Sequence, residues 1–122
     1  MVDPADREIR LALWKLHILH HAEERPVYGL WLLGELAEHG HRLSPGTLYP
    51  ILARMERNGW LRSQAANSAR GRRNYRITGA GRRLLEQLRD EVQELHRELR
   101  GIEPRSRQRG PSASGARGRR TR

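Results

Sequence analysis

Residues 43–60, Leu-Ser-Pro-Gly-Thr-Leu-Tyr-Pro-Ile-Leu-Ala-Arg-Met-Glu-Arg-Asn-Gly-Trp, spell a short helix with both of its ends marked. Ser44 suits the N-cap, because its hydroxyl accepts an orphan backbone N–H, and Pro45 suits the first helical position, where no donor is needed. Asn58-Gly59 marks the other end: Gly59 can take the left-handed conformation that closes a helix, and Trp60 supplies the apolar contact that accompanies such a cap. Between the caps, Leu48, Ile51, Leu52 and Met55 follow helical spacing and make one apolar stripe. The far side carries Gly46, Pro50, Ala53 and Arg57, with Thr47, Tyr49 and Arg54 on its flanks. That side is small near the N-terminus and basic near the C-terminus. Two readings fit it: a helix end pushed into a groove lined with phosphates, and an ordinary amphipathic helix with a solvated basic face.

The flanking segments narrow the choice. A first helix is expected over residues 7–24, stopped by Pro26, with Ile9, Ala12, Leu13, Leu16 and Leu19 as one apolar stripe and Leu11, Trp14 and Ile18 as a second. A helix apolar on two sides is buried on two sides, and in a small domain the second surface is a candidate subunit contact. Residues 27–39 read as a second helix, with Leu30, Leu33, Leu36 and Ala37 at helical spacing and Gly40 as its stop. A short turn then leads into the helix at 45. After Trp60 the period changes to two. Leu61–Ala65 and residues 74–78 read as strands around a turn-rich segment at 67–71, a hairpin with Arg70, Arg72 and Arg73 at or beside its tip. Arginines there either meet phosphates or keep an exposed edge soluble. Thr78 caps a last helix ending near residue 100, where Leu85, Leu88, Val92, Leu95 and Leu99 alternate spacings of three and four as a heptad seam does. The seam packs against a partner or folds back on its own domain.

Charge bears on the partner. Of the formal charge of +10, residues 104–122 contribute seven Arg and no acid, leaving a surplus of three over residues 1–103. This favours a polyanion, nucleic acid before membrane, since no stretch approaches the roughly 18 apolar residues of a spanning helix. From Ile102 on, the chain is Arg, Gly, Ser and Pro with almost nothing apolar, and a disordered basic tail is expected. The N-terminus opens with acids rather than a basic and then apolar leader, so a cytoplasmic location is expected. With no Cys, no glycine-rich phosphate loop and no Ser-His-Asp motif, catalysis is not expected. The fold class is mainly α with a small β-hairpin, a winged helix-turn-helix over residues 1–78, a dimerisation helix over 79–101 and the tail over 102–122.

Tyr28-Gly29, the run from Leu43 through Pro50 with its Gly-Thr-Leu-Tyr-Pro core, Arg54-Met55-Glu56, Asn58-Gly59, Arg73 through Thr78 and Gly81 together resemble the PadR family of bacterial transcriptional regulators. The resemblance covers about residues 11–99, and the single terminal helix looks like the shorter PadR subgroup. It implies a homodimer in which the terminal helix packs against the partner, usually on its first helix. It further implies a partly palindromic DNA operator and, commonly, repression relieved by a small molecule. On that reading Ser44, Thr47, Tyr49, Pro50, Arg54, Arg57, Arg70, Arg72 and Arg73 face double-stranded DNA, and Leu11, Trp14, Ile18, Leu85, Leu88, Val92, Leu95 and Leu99 form the dimer interface. Wing arginines and helix N–H groups would neutralise phosphates, while Thr47, Tyr49 and Pro50 meet base edges. Tyr49 has a second reading, part-buried between the helix and the wing. Family pockets for flat aromatic inducers use aromatics on the terminal helix, and this one has none.

No cofactor is expected. His17 and His21, one turn apart, are the candidate metal ligands, with Glu24 or a partner group as a third; solvated or interfacial histidines are the default. Two further classes stay open, an effector-independent architectural or RNA-binding protein and a metal-responsive regulator.

Overall fold

The computed structural model describes residues 4–65 and 72–102. The elements are α1 (Pro4–Glu24), β1 (Val27–Tyr28), α2 (Gly29–Glu38), α3 (Pro45–Arg57), β2 (Leu61–Ala65), β3 (Arg73–Ile77) and α4 (Gly79–Leu99). The chain divides into two compact units, Met1–Glu86 and Gln87–Arg122. Arg70 and the Arg-rich tail lie outside the described residues.

The first unit is a winged helix. Helix α3 is built as its caps dictate: Ser44 Oγ accepts from Thr47 N at 3.2 Å, and Pro45 fills the first helical position. At the other end Gly59 N donates to Glu56 O at 2.9 Å and Trp60 N to Met55 O at 3.0 Å, with Gly59 at φ 83°. This pair of bonds is the Schellman closure. Gly40 ends α2 in the same way, through Gly40 N to Ala37 O and His41 N to Leu36 O. The stripe Leu48, Ile51, Leu52 and Met55 is buried in full.

Three other stripes are reassigned. On α1 the core side is Trp14, Ile18, Leu19 and Ala22, while Ile9 and Leu13 are exposed at 76% and 45%. Trp14 and Ile18 therefore hold their own chain together and offer no surface to a partner. The reason is angular: with Leu16 and Leu11 only part-buried at the edges, Trp14 and Ile18 stand centrally in the core cluster, and a bulky indole fills more of it than Leu13 would. Leu85 is likewise buried, against the same core, so the outward part of the α4 seam begins at Leu88. On α2 the buried side is Gly29, Leu32 and Leu36, and Leu30 is exposed.

The hairpin is joined by a third strand that periodicity concealed. Val27–Tyr28 pairs antiparallel with β3, Val27 opposite Tyr75 and Tyr28 opposite Asn74, giving the order β1-β3-β2. β2 pairs with β3 from Leu61 opposite Ile77 to Ala65 opposite Arg73. Leu61, Tyr75 and Ile77 face the core; Arg62 and Arg76, directly opposed, face solvent. Thr78 then joins wing and helix. Its N–H donates to Trp60 O, its hydroxyl to Gly59 O, and it accepts from Gly81 N at 3.0 Å as the cap of α4. A Cβ at Gly81 would collide with the Trp60 carbonyl and Ile77, so this junction is tightly seated. In the second unit, Val92, Leu95 and Leu99 are exposed at 42%, 50% and 76% along one side of α4.

Candidate nucleic-acid interface

With its stripe buried, α3 turns outward what remains. Tyr49, Pro50, Ala53, Arg54 and Arg57 are exposed and Thr47 half-buried. Ser44 and Thr47 are bonded to each other through their hydroxyls at 3.2 Å, which fixes the start of the helix. Pro50 lies inside α3 and removes one intrahelical donor from its exposed side. Of the nine residues expected at DNA, eight are described, and α3 and the wing carry all of them.

Tyr49 has a backing that spacing did not reveal. A Cβ on Gly29 would run into the Tyr49 ring and hydroxyl, so the ring lies directly on the backbone at the start of α2. At 41% exposure it is half seated and half outward. Beside it runs a groove of about 290 Å³ lined by Tyr28, Gly29, Leu30, Tyr49, Arg72, Arg73 and Tyr75. Arg72 stands 5.5 Å over the Tyr28 ring, a cation–π contact that holds a wing arginine beside α3. Two residues that the sequence did not single out for the site stand on this side: Tyr28, which reads as helical yet lines the groove, and the exposed Arg62, on the outgoing strand rather than at the tip.

A second network binds α3 to the wing. Glu56 accepts from Ser63 N at 3.1 Å and Ser63 Oγ at 2.8 Å, and Arg73 Nη1 donates to Ser63 Oγ at 3.0 Å. The two Ser63 bonds hold the Glu56 carboxyl below the usual carboxylate range. Burial, then the Glu56 charge, pushes the Tyr75 hydroxyl up, so it stays a neutral phenol. Arg54, Arg57, Arg62 and Arg76 form no ion pair among the described residues.

Residues 18–87 match the Transcriptional regulator PadR-like family. The chain belongs to that family of transcriptional regulators. The transcriptional regulator Rv3488 of Mycobacterium tuberculosis is 51% identical over 96 residues, covering 78% of this chain and 90% of the relative. A PadR-like transcription factor from Bacteroides fragilis superposes with a TM-score of 0.70 at 26% identity, covering 83% of this chain and all of the other. A PadR family regulator from Eggerthella lenta gives 0.67 at 32% identity, covering 75% and 82%. Among the described residues no helix is long and apolar enough to cross a membrane.

Histidines gather away from α3's outer face. The rings of His17 and His21 stack at 6.4 Å, and those of His39 and His41 lie 5.3 and 5.1 Å from His17. His17 is in neither set of converging ligand atoms; those are His20, His21 and Glu24, and His21, Glu35 and His39. Burial first, then neighbouring imidazoles, lowers the pKa of His17 and His21.

Proposed function

We propose that this PadR-family regulator is a homodimer that binds a pseudo-palindromic operator sequence-specifically and acts as a repressor released by a small molecule. The observation that carries the DNA reading is the division of α3: a completely buried stripe on one side, and on the other an exposed small and basic face beside the arginines of the wing. Such a face enters a major groove. Thr47, Tyr49 and Pro50 meet base edges, Arg54 a base or phosphate, and Ser44, Arg57, Arg72 and Arg73 the backbone; Arg70, outside the described residues, is proposed to join them. The opposed pair Arg62 and Arg76 supports the polyanion, because like charges directly across a ladder repel until an anion lies between them.

Dimerisation rests on Leu88, Val92, Leu95 and Leu99, apolar side chains in a helix otherwise rich in charge, together with Ile9 and Leu13 on α1 in place of Trp14 and Ile18. A ligand acting there alters the spacing of two recognition helices. Selection of bound sequences from random DNA, followed by footprinting, tests the function. One protected palindrome is the expected result. Length-dependent coating without sequence preference overturns it in favour of an architectural role.

A further inference from the structure

The outer face of α3 makes no use of the histidines at the far end of α1. His21 stands near the C-terminus of α1, Glu35 in the last turns of α2 and His39 at its C-cap, so residues distant in sequence converge. Glu35 Oε2 lies 3.6 Å from His21 Nε2 and 3.3 Å from His39 Nε2. We propose that His21, Glu35 and His39 bind one divalent transition-metal cation of the zinc class.

Three observations support it. Zinc bonds of about 2.0–2.1 Å place neighbouring tetrahedral ligands about 3.3 Å apart, close to both separations seen here. All three ligand atoms lie within 4.8 Å of one another, so modest rotations complete the set. Second, imidazoles gather around the pair of converging groups: the ring of His20 lies 4.8 Å from that of His21, with His17 and His39 each at 6.4 Å, so several ring nitrogens stand within a short reach of one ion. Third, metal-bound imidazoles commonly hand their other N–H to a carboxylate. His21 Nδ1 is buried without a hydrogen bond, and Glu24 Oε1 stands 3.8 Å from it. The second converging set, His20 with His21 and Glu24, is thus the orienting shell of the first. His17 and His41 border the site and offer a fourth donor or leave that position to water.

The site would pin the end of α1 to α2, the first helix of the helix-turn-helix. Binding is a property of the protein alone, so its test is separate from that of the DNA reading. Tag-free, chelator-treated full-length protein is titrated calorimetrically with zinc, and cobalt(II) is added as a spectroscopic probe. The expected result is one ion per chain, intense visible cobalt bands of a four-coordinate site, and at least about tenfold weaker binding in Glu35→Gln and His39→Ala. His96→Ala, on the second unit, should bind as the parent does. Both test positions keep solvent access, with side-chain exposures of 23% and 51%, and metal-free thermal melts will establish that the variants fold. No binding by the parent, undiminished binding in the two folded variants, or a six-coordinate cobalt spectrum overturns the proposal.

Discussion

Helices α1 and α3 pack on the same core, yet they relate to it differently. Helix α3 has one apolar stripe, and every member of it is buried. Helix α1 has two, and the indole and isoleucine at Trp14 and Ile18 displace Ile9 and Leu13 to the surface. A helix with a single stripe determines its own orientation. A helix with two is oriented by its neighbours, and the stripe left over stays exposed, where the proposed dimer would use it. The exchange on α1 thus leaves Ile9 and Leu13, rather than Trp14 and Ile18, as the exposed apolar residues available to the proposed dimer.

The sharpest way to break this contrast is to truncate within it. Trp14→Ala should cost about 3–5 kcal/mol and Leu52→Ala about 2–5 kcal/mol in urea unfolding. Leu13→Ala, outside the core, should change the stability of the monomer by no more than about 0.5 kcal/mol, measured at protein concentrations where dimer is absent. If Leu13 instead costs as much as Trp14, the assignment of faces on α1 is reversed. At higher concentration, sedimentation of Leu13→Ala and of Leu95→Asp should show weakened self-association.

Next come the outward faces. Arg54→Ala should lose about 1–3 kcal/mol on the operator with relaxed preference, whereas Arg72→Ala should weaken operator and random DNA alike and flatten the salt dependence. Fluorescence anisotropy over a salt series separates the two, and identical behaviour removes the division between helix and wing. Ser44→Ala should cost about 1 kcal/mol through the lost cap, readable as a lower melting temperature.

The smallest effect is pH-dependent. The bonds from Ser63 lower the Glu56 pKa in the fold, so their stabilisation is complete above the ordinary carboxylate range and is lost as pH falls through the folded value. Stability measured between neutral and acid pH should fall less steeply in Glu56→Gln than in the parent protein. An unchanged slope would mean that the Glu56–Ser63 link carries no net energy.

How far the sequence could be read followed from how local the causes were. Both caps of α3, its stripe and the stop at Gly40 depend on contacts within a few residues, and each is visible in the letters. So is the family, because Gly-Thr-Leu-Tyr-Pro is a contiguous pattern. Strand β1 was hidden because Val27–Tyr28 runs without a breaker into Gly29-Leu-Trp-Leu-Leu, and only pairing with β3 makes it a strand. The seat of Tyr49 on Gly29 and the meeting of His21 with Glu35 and His39 were hidden for the same reason. Periodicity orders residues around one helix and is silent on what the next helix brings to it.

That two-residue strand also bears on the order in which the domain can be made. β1 precedes the helix-turn-helix and β3 follows it, so their pairing closes the chain into a loop that contains α2 and α3. A nascent chain released only as far as α3 holds the outward face of that helix but lacks the strand that fixes its bearing. The bearing of α3 on the wing should therefore be set in one step, once β3 is available and the loop closes, before α4 can contribute to any second-chain contact.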